Sequence, residues 1–171
     1  YLTGHTHRNY NVQAETNIME HNTTAICATW WWTHYLGFGH VAKDGTYGGY
    51  SLYDFDADGM QWRLKSMGYN NSKQFRAYDL NLVKSYFSNP RATDIEKFFS
   101  LYPSRERYTA VEQNSVMVNV FNYDDDWTVK IKENGSELEV LRVRIEDPLH
   151  TVSYDIPRSR YIVRNRVQRI F

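Results

Sequence analysis

A mainly β chain that ends in a small β-sandwich carrying one short helix is the fold class this sequence predicts. Three observations predict it. Apolar and polar residues alternate through residues 60–65 and 127–131, and Val116, Val118 and Val120 recur at every second position, the period-2 signature of strands. Two dipeptides, Asp58-Gly59 and Asn134-Gly135, stand between such runs, and both tolerate the left-handed backbone that closes hairpins. The chain also carries 14 Tyr, 5 Trp and 8 Phe, side chains that pack well on a pleated surface.

In chain order, residues 11–19 space Val12, Ala14 and Ile18 by two and four, so a strand is expected there. Residues 23–32 are richer in β-branched and aromatic side chains and predict a second strand. The triplet Trp30-Trp31-Trp32 puts large rings on both faces, as in a strand covered on each side. Residues 34–49 hold Gly37, Gly39, Gly45, Gly48 and Gly49 with little periodicity, which is loop composition. His34, His40 and Asp44 fall in that loop at no zinc-binding spacing, and are expected to be loop polar groups. Residues 50–55 and 60–65 then flank Asp56-Ala57-Asp58-Gly59 as a hairpin. Asp54, Asp56, Asp58 and Gly59 imitate the opening of a calcium loop. The twelfth position is Lys65 instead of a bidentate Glu, however, and both flanks are strand-like, so calcium is rejected.

Residues 68–73, with Asn70-Asn71-Ser72, predict a turn or linker, and residues 74–82 another strand. Asn89-Pro90 breaks the chain before the one expected helix. Thr93 and Glu96 make a capping box, Ile95, Phe98, Phe99 and Tyr102 recur at helical spacing, and Pro103 stops the helix. Beyond Tyr108 the strands are short: Val116, Val118 and Val120 alternate, as do Trp127, Val129 and Ile131, and residues 138–145 form a return arm after Asn134-Gly135. In the tail, Tyr161, Val163, Val167 and Phe171 occupy alternate positions. Arg160, Arg164 and Arg166 are therefore expected on the solvated face of a strand instead of on a nucleic-acid strip. A boundary at Lys73 divides the chain into residues 1–73 and 74–171.

Composition narrows the function classes. Twenty Lys and Arg balance twenty Asp and Glu, so no bulk attraction to nucleic acid or to an anionic membrane is expected. The longest apolar stretch, residues 25–32, is too short to span a bilayer. Cys27 is the single cysteine, excludes an internal disulfide, and sits in an apolar run as a small buried residue would. No secretory leader is visible, and the chain is expected to begin inside a longer protein.

The chemistry-bearing stretch is Leu2-Thr3-Gly4-His5-Thr6-His7-Arg8-Asn9. At strand spacing His5 and His7 project to one side, imidazole is the commonest metal ligand, and Gly4 permits a sharp turn or close approach. This stretch resembles the last metal-ligand motif, Gly-His-x-His, of the calcineurin-like metallophosphoesterases. The resemblance continues through Glu20-His21-Asn22, Ala25-Ile26-Cys27-Ala28-Thr29-Trp30-Trp31, Lys43-Asp44-Gly45-Thr46, Gly49-Tyr50 and Gln74-Phe75-Arg76-Ala77-Tyr78-Asp79. Together these look like the C-terminal region of a bacterial subgroup that carries an extra C-terminal domain. The resemblance implies that residues 1–73 complete the antiparallel sheet of a phosphoesterase sandwich, and that residues 74–171 form an immunoglobulin- or fibronectin-like β-sandwich.

It further implies a dinuclear divalent centre of Mn, Fe or Zn in the full-length parent, with His5 on one metal and His7 on the other. Trp31, Trp32 and Asp44 would then lie on a substrate-side loop. The partner it implies is the parent's N-terminal catalytic domain, and an extracytoplasmic location follows from the resemblance alone. The family's remaining ligand motifs, Asp-x-His, Gly-Asp-x-x-Asp and Gly-Asn-His-Asp/Glu, do not occur in this sequence. No metal is therefore expected on the isolated chain, which should be inactive, with a frayed, solvated N-terminus. The alternative function is an independent aromatic-rich sandwich that binds glycan or protein, with no nucleic acid and no membrane span.

Overall fold

Short strands joined by tight turns dominate the first third of the chain. The computed structural model describes residues 1–15, 18–29, 41–89, 93–160, 162–163 and 166–167. β1 (Leu2–Thr3), β2 (Tyr10–Glu15) and β3 (Ile18–Asn22) form one sheet in the order β1-β3-β2. β1 lies parallel to β3 through Leu2↔His21 and Thr3↔Asn22, and β2 lies antiparallel to it. The single strand expected over residues 11–19 is thus two strands of a hairpin. Its alternation continues through the reversal, which hides the turn from a periodicity argument.

The strand expected over residues 23–32 is not formed in its described part. After Asn22 the chain turns at residues 26–29, closed by the Ala28 N–H to the Ala25 carbonyl at 2.8 Å, with Ala28 at φ 53°. Cys27 and Ala28 are buried nonetheless. The turn packs backbone against backbone, since a Cβ on Gly48 would stand 2.1 Å from the Ile26 carbonyl oxygen. Apolar composition here records a covered turn. Trp30, Trp31 and Trp32, with His34 and His40, lie outside the described residues.

β4 (Gly49–Asp56) and β5 (Gly59–Ser66) pair in unbroken register from Gly49↔Ser66 to Asp56↔Gly59. The Asp56 carboxylate accepts the Asp58 N–H at 2.9 Å, a turn role in a strand hairpin. Trp62, Leu64 and Ser66 form the buried face of β5, as its alternation predicts. β6 (Phe75–Asp79) pairs antiparallel with β7 (Val116–Val120).

The strand expected over residues 74–82 ends at Asp79, where α1 (Leu80–Phe87) begins. Asp79 is extended, at φ −71° and ψ 112°, and its carboxylate accepts the N–H groups of Asn81 and Leu82. That is N-capping, and one residue serves both elements. α2 (Thr93–Leu101) is the expected helix; the capping role assigned to the Thr93 side chain lies outside the described residues. A 3-10 stretch, Pro103–Thr109, follows.

Near the C-terminus, α3 (Pro148–His150), a π-helical stretch Thr151–Asp155 and α4 (Ile156–Ser159) run on from one another. Helix therefore stands where the tail was expected to begin a strand. Ile156 packs with Val83, Phe87, Ile95, Phe98 and Tyr108 in a core to which α1, α2, the 3-10 stretch and α4 all contribute. Arg160 caps this end as an ion pair with Asp94 at 2.5 Å instead of lining a solvated strand face. Burial of apolar side chains on several helical faces outweighs the weak strand propensity of the tail.

The Asn134-Gly135 turn forms as expected, with φ 50° and 87°, between β8 (Lys132–Glu133) and β9 (Ser136–Glu137). Its arms, residues 127–131 and 138–145, carry no strand ladder beyond the bond from the Leu138 N–H to the Ile131 carbonyl at 2.9 Å. β10 (Ile162–Val163) and β11 (Arg166–Val167) close a last small hairpin. The chain is mainly β, in several small sheets with short helices.

Candidate functional site

The site is built around the Gly4-His5-Thr6-His7 turn that leaves β1. The preceding strand is pinned: the Tyr1 amine donates to the Met19 carbonyl at 2.7 Å, and Tyr1 and Thr3 carbonyls accept N–H groups from His21 and Thr23. A frayed terminus was expected, and parallel pairing with β3 prevents it. The histidines also do not continue a strand. His5 has φ 77° and His7 φ 57°, so the argument from strand spacing does not apply to them. The left-handed residues are the histidines themselves, each at a cost on the order of 1–3 kcal/mol. Side chains next to the turn hold them there.

One of those side chains is Asn22, which is buried at the end of β3. Its Nδ2 donates to Thr3 Oγ1 at 2.7 Å and to the Gly4 carbonyl at 3.2 Å, and its Oδ1 accepts from Thr6 Oγ1 at 2.8 Å. Thr3 Oγ1 in turn donates to Glu20 at 2.9 Å. His7 Nδ1 lies 2.9 Å from the Thr29 carbonyl oxygen, with Cys27 Sγ 3.7 Å from the same nitrogen. A carbonyl can only accept, so Nδ1 carries a proton and donates it. Metal-binding histidines are commonly oriented in this way. His5 is exposed.

Two residues further on, Asn9 ties the loop to Asp44. Asn9 Nδ2 donates to Asp44 Oδ2 at 2.9 Å and to Thr46 Oγ1 at 2.8 Å, while Asn9 Oδ1 accepts the Thr24 N–H at 2.8 Å. Burial pushes the Asp44 carboxyl above its ordinary range, against the hydrogen bonds from Asn9 and Thr46. Behind it, Gly45 has φ +84°, and a Cβ there would stand 2.1 Å from the Asp147 carboxylate, so only glycine fits.

Asp147 accepts from Tyr78 Oη at 2.6 Å, from Asn119 Nδ2 at 2.8 Å and from the His150 N–H at 3.0 Å. Arg76 stands 3.8 Å from Asp147 Oδ1, the oxygen that accepts the His150 N–H, donates to the Gly45 carbonyl, and lies 4.2 Å over the Tyr47 ring. Burial, with the Asp147 charge beside it, raises the Tyr78 phenol well above its ordinary value. This network holds the 44–46 loop in place.

A second buried polar cluster lies beside the first. His21 is fully buried, edge-on to Trp62 and Tyr53 at 4.7 and 5.2 Å between ring centres. Its Nε2 is 3.2 Å from Asn122 Nδ2, which also donates to Ser51 Oγ at 3.1 Å. Burial lowers its pKa.

The structure thus connects His7, Asn9 and Asp44 through one loop, leaves His5 at the surface, and does not describe Trp31 or Trp32. Sequence reasoning quoted Asn22 and Arg76 only within the resemblance and gave no role to them, to Asn119 or to Asp147. No local pattern marks a buried polar side chain for such a role, and their partners are 19, 31, 75 and 69 residues away. Among the described residues no group of three or more His, Cys, Asp or Glu could hold a metal. His7, oriented by Thr29, and the exposed His5 supply two imidazoles, too few among the described residues to make up the ligand set of a metal centre.

A family model described as the C terminal of calcineurin-like phosphoesterase matches residues 20–169. No curated protein and no solved structure matches the chain.

Proposed function

Because this chain belongs to the family formed by the C-terminal domain of calcineurin-like phosphoesterases, we propose that it is an accessory portion of such an enzyme, supplying architecture and two imidazoles but no complete catalytic centre. The family implies an N-terminal catalytic domain as partner and a metallophosphoesterase as parent. The observation that carries the reading is the match over residues 20–169. His5 and His7 precede the matched residues, so their role rests on the motif they form and on the orientation of His7 by the Thr29 carbonyl.

In the parent, metals of such a centre polarise a phosphoester and lower the pKa of bound water. What this chain does is narrower. The carbonyl of Thr29 holds the His7 proton on Nδ1, the Asn9–Asp44 bond fixes the backbone after it, and the Arg76–Asp147 network fixes Asp44. Residues 1–73 would complete the catalytic sandwich and residues 74–171 would brace it from outside. No helix among the described residues is long and apolar enough to cross a membrane.

The test is hydrolysis of a chromogenic phosphodiester by the purified chain with added Mn²⁺. Rates equal to the metal blank are expected. Metal-dependent turnover abolished by His7→Ala would overturn the accessory reading.

A further inference from the structure

We infer that the outer face of the β6–β7 ribbon is a docking surface for a second copy of this chain, the two ribbons stacking face to face with their strands reversed. The register of the ribbon defines that face. Phe75 lies opposite Val120, Ala77 opposite Val118 and Asp79 opposite Val116, so these six side chains share one side. Arg76, Tyr78, Met117 and Asn119 take the other side. There Arg76 donates to the Gly45 carbonyl, Tyr78 to Asp147 and Asn119 to the Asp44 carbonyl.

The ribbon has therefore turned its polar side to the rest of the molecule and its apolar side outward. Valines at every second position normally mark the buried side of a strand. Here Val116 is 63% and Phe75 50% exposed, Ala77 is exposed too, and Val118 and Val120 are half-buried. A two-stranded ribbon is marginal until a second layer covers its apolar side.

Charge identifies that layer, because the face carries opposite signs at its two ends. The Lys73 ammonium stands 5.9 Å from the centre of the Phe75 ring, and the exposed Asp79 carboxylate closes the other end. Asp79 caps α1 through Oδ1, which leaves Oδ2 to meet a cation. A twofold axis lying between the layers and across the strands sets β6 on β6 in opposite directions. Each Lys73 then lies over the other copy's Asp79, and each Phe75 over the other copy's Val116. Ala77 falls on the axis, where its small side chain lets the layers approach. The same patch serves both copies, as a closed dimer requires. With twenty basic and twenty acidic residues, no net charge drives the copies apart.

The experiment is sedimentation equilibrium of the purified full chain over a concentration series, with far-UV circular dichroism reporting whether each variant is folded. Wild type is expected to form a concentration-dependent dimer, and Val116→Lys, at an exposed site, to stay monomeric. Lys73→Glu should weaken the dimer roughly tenfold, since the axis counts each exposed pair twice and reversal turns attraction into repulsion. High salt should shrink that difference, and Lys73→Arg should match wild type. Mixed labelled and unlabelled copies should show isotope-filtered contacts between the Phe75 ring and the Val116 methyls, which lie at opposite ends of the ribbon within one chain. Should Val116→Lys fail to fold, Lys73→Glu and the filtered contacts decide. A wild-type chain monomeric at every concentration would overturn the inference, in favour of cover by the parent's catalytic domain. A dimer untouched by Val116→Lys, or open-ended oligomers from edge pairing, would overturn it as well. A dimer that Val116→Lys breaks and Lys73→Glu leaves intact would overturn the reversed stacking.

Discussion

Arg76 lies buried with its guanidinium 4.2 Å above the Tyr47 ring and 3.8 Å from a carboxylate oxygen of Asp147, a side chain 1% exposed. Removing one member of such a pair strands the other charge away from water. Arg76→Met should therefore lower stability by about 3–5 kcal/mol in urea unfolding. Arg76→Lys should recover only part, because an ammonium cannot both lie flat on Tyr47 and reach the Gly45 carbonyl. A second residue-scale effect comes from His21, whose pKa burial depresses. Asp124 opposes that shift and the N-terminal amine adds to it. The unfolded chain takes up a proton near pH 6.5 while the folded one resists. The stabilisation is thus complete above about pH 6.5 and is lost as pH falls from there toward the depressed folded value. Urea midpoints measured between pH 7.5 and 5 should fall, at no more than about 1.4 kcal/mol per pH unit for one proton, and His21→Phe should flatten the profile. An unchanged slope in that variant would assign the effect to other groups.

At the scale of elements, the junction between β6 and α1 turns on Asp79. Its carboxylate caps Asn81 at 2.8 Å and Leu82 at 3.4 Å, so Asp79→Ala should cost about 1 kcal/mol, read from the thermal midpoint. Gln would restore little, since its longer side chain does not reproduce the capping geometry. The junction escaped sequence reasoning for a physical reason. An N-cap residue is itself extended, and Tyr78, Leu80 and Leu82 keep a period of two across it. The helix α1 then exists because Val83 and Phe87 find a core, with Phe87 stacked on Tyr108 at 4.4 Å and 11°. Phe87→Ala should remove roughly 3–5 kcal/mol, whereas Leu82→Ala, at a side chain 70% exposed, should change stability little. Elements whose signal is local were legible: the β4–β5 and Asn134-Gly135 hairpins form where their turn residues stand. Elements that depend on a distant partner were not, as the arms around β8 and β9 show. They alternate like strands and still carry only one ladder bond beyond the hairpin.

Across the whole molecule, residues on either side of Lys73 are joined by buried and partly buried polar bonds. Trp62 Nε1 donates to the Asn122 carbonyl at 3.0 Å, Asn11 Nδ2 to Asp124 at 2.8 Å, and Asn119 Nδ2 to the Asp44 carbonyl at 2.6 Å. Trp62 also stacks on Trp127 at 5.6 Å. Such interlocking predicts one cooperative transition, with tryptophan fluorescence and far-UV circular dichroism giving the same midpoint; separate midpoints would show that the two portions fold independently. The sequence by itself determined the mainly β character, the tight hairpins and the α2 helix, because turn chemistry and periodicity are properties of neighbouring residues. Tertiary structure alone decided that His5 and His7 sit left-handed under the Asn22 amide, that Asp44 is held from behind by Arg76 and Asp147, and that the tail begins as helix. Those outcomes rest on hydrogen bonds and buried contacts between residues far apart in the chain, and no local pattern records which distant group will satisfy a buried polar atom.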